Sequence, residues 1–166
     1  DLQLAAMESA FRSVLVVGAV PEQGATTVAA NLAIALAQTG RRVVLVDADL
    51  RRPRLHALFD IPNGGGLTGV LARETPLDAA LQSTEVENLW LLPSGPLPLM
   101  PAEVLEGPEF GRMLDMLERL VDFVVIDAPA AVAFADASAV AAAAVAALLV
   151  VRAGTVPRGA EKSVLE

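Results

Sequence analysis

Nearly continuous apolar runs recur along this chain and are separated by longer segments of mixed polarity. Five of the runs have the length of a strand: residues 13–18, 42–47, 88–92, 122–127 and 147–152. Strands without alternation between polar and apolar positions are typical of a parallel sheet that is covered on both faces. The order of strands and helices therefore predicts an α/β fold with a mostly parallel, doubly wound sheet.

Helices are predicted between these strands, and several have recognisable ends. They cover residues 26–38, 66–73, 76–82, 101–105 and 108–120, and the last two begin with proline, which suits the first turn of a helix. Gly40 is well placed to end the first helix. We expect a further short helix over residues 1–13, ahead of a main domain over 14–166. Because the chain stops inside a helix that starts at Pro157, we expect the fold to be C-terminally incomplete.

Composition excludes several classes of protein. The 166 residues suit one domain, and the absence of cysteine rules out disulfides and thiol catalysis. A net charge of −8 argues against a nucleic-acid-binding surface. Mean hydropathy is high, at +0.54, but the longest apolar run, residues 137–151, is shorter than the roughly 20 residues that span a bilayer. We therefore interpret that run as a buried helix followed by a buried strand.

The segment from Gly18 to Thr27 links the first strand to the first helix. A strand, a tight loop and a helix start form a phosphate-binding loop when successive backbone N–H groups converge on an anion. Such a loop usually ends in Gly-Lys-Ser/Thr, with the lysine on the β- and γ-phosphates and the hydroxyl on Mg²⁺. Here Gly24 and Thr26 keep their places, and Ala25 stands at the lysine position. The glycine and the threonine of the pattern are retained, and the positively charged side chain is lost.

Acidic residues follow two of the predicted strands. Asp47 and Asp49 come at the end of the second strand, and Asp127 ends a later one. Parallel strands present their carboxyl ends at one edge of the sheet, so all three acids are expected beside the Gly18–Thr27 loop. Acids in such positions also serve as helix caps or turn formers. Three of them beside a phosphate loop favour a cation site.

A basic cluster, Arg51, Arg52 and Arg54, follows Asp49 directly. Two interpretations remain open for it: a solvated face, or a contact with a nucleotide or a partner.

Three segments together resemble a known family. Val44–Pro53 reads Val-Leu-Val-Asp-Ala-Asp-Leu-Arg-Arg-Pro, residues 124–129 read Val-Val-Ile-Asp-Ala-Pro, and residues 101–105 read Pro-Ala-Glu-Val-Leu. In this combination they are similar to the bacterial tyrosine kinases of capsule and exopolysaccharide synthesis, which are P-loop NTPase-type proteins. The resemblance covers about residues 14–160.

The resemblance implies a set of site residues and the cofactors ATP and Mg²⁺. Thr26 and Asp47 would help to hold Mg²⁺, Asp127 would do so through water, and Asp49 would activate the hydroxyl of an incoming tyrosine. Asp49 and Asp47 would thus be the catalytic residues. The backbone N–H groups that would bind the phosphates belong to Gln23, Gly24, Ala25, Thr26 and Thr27.

The resemblance also implies partners and a location. They are a membrane-anchored polysaccharide co-polymerase or chain-length regulator, with possible homo-oligomerisation. The domain is expected to be cytoplasmic, at the inner face of the membrane through such a partner or a further segment.

The chain departs from the family pattern in several places. The family's Pro-Gly-Glu-Gly-Lys is here Pro-Glu-Gln-Gly-Ala, at residues 21–25, and tyrosine is absent from the whole sequence. We therefore expect weak nucleotide binding and no kinase activity. Two origins of Ala25 remain open: a natural pseudokinase, or a deliberate Lys→Ala change that traps an inactive state.

Two other functions remain open. One is a non-catalytic module that regulates polymer length through a membrane partner. The weaker one is a partition-type ATPase, which is disfavoured because Val20 stands where that class has a second lysine.

Overall fold

The computed structural model describes residues 12–130, 140, 144 and 146–153, and it contains a six-stranded sheet. The strands are β1 Ser13–Gly18, β2 Val43–Asp47, β3 Gln82–Ser83, β4 Leu89–Leu92, β5 Phe123–Ala128 and β6 Ala146–Val150. Their spatial order is β3-β4-β2-β5-β1-β6. Every neighbouring pair is parallel except β3 and β4. The predicted mostly parallel α/β fold is confirmed.

Helices connect the strands. They are α1 Ala25–Gln38, α2 Leu55–Leu58, α3 Leu67–Leu71, α4 Leu77–Ala80, α5 Pro101–Glu106 and α6 Pro108–Leu120. Proline occupies the first helical position of α5 and of α6, as the sequence predicted. Just beyond the end of α1, Gly40 adopts a left-handed backbone with φ +84°, which glycine tolerates best.

Each face of the sheet carries its own hydrophobic core, since successive strand residues point to opposite faces. On one face Val14 and Val16 of β1 pack with the small residues of α1, including Ala29 and Ala33. On the other face Leu15 and Val17 belong to a second core; its helical members include Phe110, Met113 and Leu117 of α6. Helices on both faces explain why the strands are apolar throughout, and they confirm the doubly wound arrangement.

Two elements were not predicted, and two helices are shorter than predicted: the one expected over 66–73 covers only Leu67–Leu71. The sequence gives no periodic signal for α2, which has only four residues. The helix expected over 76–82 ends at Ala80, because Gln82 pairs with Leu91 and Ser83 with Trp90 in the antiparallel β3–β4 ladder. Pairing with the outer side of β4 therefore overrides helical propensity in this segment.

The strand β6 differs from the prediction of a buried strand. Its five residues are partly or fully exposed, whereas β1 and β5 are buried throughout. Among the described residues β6 pairs only with β1, so it forms an edge of the sheet. Of the helix predicted before it only Val140, which is buried, and Ala144 are described.

Two other expected helices, within residues 1–13 and 157–166, lie wholly or almost wholly outside the described residues. In the part of the chain that the structure describes, none of the helices combines the length and the apolar character needed to cross a bilayer.

Candidate nucleotide site

The loop between β1 and α1 has the backbone of an anion-binding turn. Gly24 precedes the first helical residue with φ +87°, and its carbonyl accepts the Val28 N–H at 3.0 Å. No side chain caps this end of α1, and no acidic residue lies in its first turn. The N–H groups of that turn are therefore left to an external acceptor, with the positive end of the helix dipole behind them.

Glu22 adopts a left-handed backbone conformation, with φ 65°. In the family pattern a glycine stands at this position, and glycine adopts that conformation without steric conflict. For a residue with a Cβ atom the conformation costs roughly 1–2 kcal/mol. The loop thus keeps the shape that glycine favours although the glycine is gone.

Ala25 is the first residue of α1 and lies in the wall of the cavity beside the loop. Its side chain is half-buried against the core on that face of the sheet. A methyl group carries neither charge nor hydrogen-bond donor. The position that the family pattern gives to a lysine therefore faces the cavity without any means of binding phosphate.

Two carboxylates lie behind the loop, at the ends of adjacent strands. Asp47 of β2 is opposite Asp127 of β5 in the parallel register, and their side chains are 0% and 1% exposed. Asp47 Oδ2 accepts the Leu55 N–H at 3.1 Å. In the described part of the chain, Asp47 Oδ1 and both carboxylate oxygens of Asp127 have no hydrogen-bond partner. Buried oxygens without partners are costly unless a proton or a cation satisfies them.

Burial raises the pKa of both carboxyl groups. The pKa of Asp47 rises to about 7, mainly through desolvation, while the Leu55 N–H opposes the rise and the charge of Asp49 adds to it. The pKa of Asp127 rises to about 8 for the same main reason. The Thr26 hydroxyl lies beside Asp127 and partly offsets that rise, although it forms no well-aligned hydrogen bond with it. Positive charge at this point would reverse both shifts.

Asp49 is less buried and is held by its own turn. Its Oδ1 accepts the backbone N–H groups of Arg51 at 3.2 Å and Arg52 at 3.0 Å. These bonds fix the carboxylate at the cavity wall, of which it forms a part. Sequence analysis did not foresee these backbone donors or the Leu55 N–H on Asp47, because a four-residue helix such as α2 leaves no pattern to find.

The cavity has a volume of about 530 Å³, which is within the usual range for small-molecule sites. All five predicted phosphate-binding residues line it, at positions 23–27, together with Asp49 and the three arginines that follow it. Asp47 and Asp127 are not in its wall and lie buried behind it. The structure therefore brings all the predicted site residues to one edge of the sheet, in two layers.

The donor set suits Mg²⁺ only in part. Carboxylate and hydroxyl oxygens are the ligands that Mg²⁺ prefers, and it is usually held by one or two carboxylates, with phosphates and water completing the shell. Thr26, Asp47 and Asp127 offer such oxygens, and the unpartnered ones fit a cation. Within the described ranges no three acidic, histidine or cysteine residues form a metal cluster. A magnesium ion here would therefore depend on nucleotide phosphates for its remaining ligands.

Comparison with known proteins agrees with this geometry. A family model described as an AAA domain matches residues 22–154. The tyrosine-protein kinase YwqD of Bacillus subtilis is 36% identical over 154 residues, which are 93% of this chain and 65% of that protein. The chain belongs to the bacterial tyrosine kinase family.

Comparison with solved structures points to the same family. The kinase domain of the Escherichia coli tyrosine kinase ETK is similar with a TM-score of 0.95 and 30% identity, over 99% of this chain and 64% of that one. The chimerical protein CapA2B2 is similar with a TM-score of 0.92 and 33% identity, over 98% of this chain and 72% of that one. This member of the bacterial tyrosine kinase family thus spans less than two thirds of the YwqD protein and of the ETK domain.

Proposed function

We propose that this chain is the ATP-binding, tyrosine-kinase-like domain of a system for capsule or exopolysaccharide synthesis, and that it is inactive in phosphoryl transfer. The observation that carries the proposal is the contrast between Ala25 and its surroundings. A cavity of suitable size, an uncapped helix start and a buried carboxylate pair are all present, and the one side chain expected to contact the transferred phosphate is a methyl group.

The roles of the residues follow from their positions. Backbone N–H groups at residues 23–27 would bind the phosphates of ATP. Thr26 and Asp47 would hold Mg²⁺ directly, and Asp127 would act through water. Bound Mg²⁺ would neutralise charge on the phosphates. Asp49, fixed at the cavity wall by two backbone N–H groups, would accept the proton of a tyrosine hydroxyl.

The loss of the lysine is expected to affect both binding and chemistry. Phosphoryl transfer depends on neutralising the charge that spreads over the γ-phosphate oxygens, so a lysine contributes most in the transition state. It also contributes to binding, since a charge-assisted hydrogen bond is worth roughly 1.5–3 kcal/mol. Nucleotide would therefore bind weakly and would not be turned over.

The partners are part of the same proposal. A domain of this kind would work at the inner face of the bacterial membrane, beside a membrane-anchored co-polymerase or chain-length regulator. The half-exposed edge strand β6 supports an additional contact, because an unpaired strand edge can be extended by another segment or a second copy of the chain.

Calorimetric titration with ATP and Mg²⁺ tests the nucleotide site. The Ala25→Lys variant is expected to bind ATP about 10 to 100 times more tightly than the native chain. Ala25→Met adds a side chain of similar length without charge, so it is the matched control and should not improve binding. Sub-micromolar ATP affinity in the native chain would contradict the proposal.

A further inference from the structure

The cavity beside the phosphate loop also carries a cluster of positive charge in its wall. Arg51, Arg52 and Arg54 are all exposed and all line the cavity. Among the described residues in its wall they are the basic side chains, since the loop contains no lysine or arginine. The positive charge missing at residue 25 is thus supplied elsewhere in the wall of the same cavity.

Two backbone anchors position this cluster. At one end Asp49 Oδ1 accepts the Arg52 N–H at 3.0 Å, and at the other Asp47 Oδ2 accepts the Leu55 N–H at 3.1 Å. The residues between these bonds, including Arg52 and Arg54, are therefore held against the carboxylates of the site. Their side chains start from a fixed backbone although their ends are exposed.

The guanidinium groups of Arg52 and Arg54 are available for a ligand. Neither of them takes part in the ion pairs that Arg42, Arg73 and Arg112 form at other places on the described surface. Guanidinium groups bind phosphate through two parallel hydrogen bonds and stay charged at every physiological pH. Two of them beside a phosphate loop that has no basic side chain form a natural site for the outer phosphates of a nucleotide.

We propose that Arg52 and Arg54 replace the missing lysine as the positive charge that binds the β- and γ-phosphates of a nucleoside di- or triphosphate. This inference rests on the proposed function, because it assigns a determinant of binding in the same cavity. It differs from that function in one respect: the nucleotide affinity of this chain depends on Arg52 and Arg54, in the turn after β2, and not on the side chain at residue 25.

Binding of ATP, ADP and AMP in the presence of Mg²⁺ tests the claim with the whole chain. In the Arg52→Ala/Arg54→Ala variant the affinity for ATP and ADP should fall about tenfold, while that for AMP should change little, since AMP lacks the outer phosphates. Arg52→Lys/Arg54→Lys should keep most of the affinity. Arg41→Ala is the control for net charge, because Arg41 precedes β2 and so lies toward the opposite edge of the sheet. It should leave binding unchanged.

The Ala25→Lys background gives the sharpest contrast. With lysine present, the same double substitution should weaken ATP binding by less than about threefold, because the arginines no longer act alone. An equal loss in both backgrounds would overturn the inference. ATP binding by the double variant that matches the Arg41→Ala control would also overturn it, and would leave the proposed function standing. A native chain that binds no ATP while Ala25→Lys binds it would overturn the inference too, and would limit the proposed ATP site to a chain with the lysine restored. Failure of both the native chain and Ala25→Lys to bind ATP would overturn the proposed function and the inference with it.

Discussion

Asp47 and Asp127 lie opposite each other on adjacent parallel strands, both almost completely buried. Three of their four carboxylate oxygens have no hydrogen-bond partner among the described residues, and the pKa values are raised to about 7 and about 8. An arrangement of this kind destabilises the fold once the groups ionise. Such a pair suits a cation site, where binding of the ion requires two carboxylates side by side and the fold is less stable as a result.

This pair predicts how stability depends on pH. Because both folded pKa values lie above the unfolded value of about 4, the folded state binds more protons than the unfolded state between pH 4 and 8. The free energy of unfolding should therefore be highest below that range and fall as pH rises through 7 to 8. Between pH 5.5 and pH 8 we expect the two groups together to cost on the order of 5 kcal/mol, measured by urea denaturation without Mg²⁺.

Two variants separate this effect from general charge. Asp127→Asn removes one of the titrating groups and should flatten the dependence on pH. Asp115→Asn changes an exposed acid on α6 and should leave the slope intact. Adding Mg²⁺ with ADP should restore more stability at pH 8 than at pH 5.5, since the cation favours the ionised acids. Stability that rises from pH 5.5 to pH 8 in the native chain would contradict the assignment.

The backbone at Glu22 predicts a stabilising substitution. Glu22→Gly should raise the free energy of unfolding by about 0.5–1 kcal/mol, since relief of a strain of roughly 1–2 kcal/mol exceeds the entropic cost of glycine. Glu22→Gln removes the charge and keeps the Cβ atom, so it should give no comparable gain. Thermal denaturation of the three proteins under one buffer condition compares them. Equal gains in both variants would mean that charge, and not backbone strain, is the cause.

A third prediction concerns the polar contact between the loop at residues 63–66, Asn-Gly-Gly-Gly, and the turn after β4. The Asn63 side chain donates to Ser94 Oγ at 3.1 Å and accepts the Gly95 N–H at 2.9 Å. Asn63→Ala leaves the buried Gly95 N–H without its partner and should cost on the order of 1–3 kcal/mol in chemical denaturation. Asn31→Ala, on the exposed surface of α1, is the control and should be close to neutral. A negligible cost at Asn63 would show that water replaces the contact.

The main elements of the fold could be predicted because two strong signals agreed. Buried strands such as β1 and β5 are apolar on both faces, and α5 and α6 each begin at a proline. The predictions of secondary structure and burial were wrong where local sequence signals were weak, or where contacts between residues distant in sequence overrode them. The strand β3 exists because it pairs with β4, and the exposure of β6 depends on its place at the edge of the sheet.

The positions of the site residues could likewise be predicted from topology, since acids at the ends of parallel strands meet at one edge. Sequence could not give the depth of each residue. Asp47 and Asp127 are buried behind the cavity, whereas Asp49 lies in its wall, and only the packing of the neighbouring elements decides between the two places. The backbone donors on Asp47 and Asp49 depend on a turn whose shape no periodicity records.

The proposed function attributes the loss of phosphoryl transfer to Ala25. It is tested most directly by ATP-dependent phosphorylation of a tyrosine-bearing substrate, measured by mass spectrometry for the native chain, Ala25→Lys and Ala25→Lys/Asp49→Asn. We expect no phosphotyrosine from the native chain, clear phosphorylation by Ala25→Lys, and its loss again when Asp49 can no longer accept the proton. Robust activity in the native chain would contradict the claim. An Ala25→Lys variant that binds ATP more tightly without turnover would contradict it as well, and would identify a nucleotide-sensing scaffold instead.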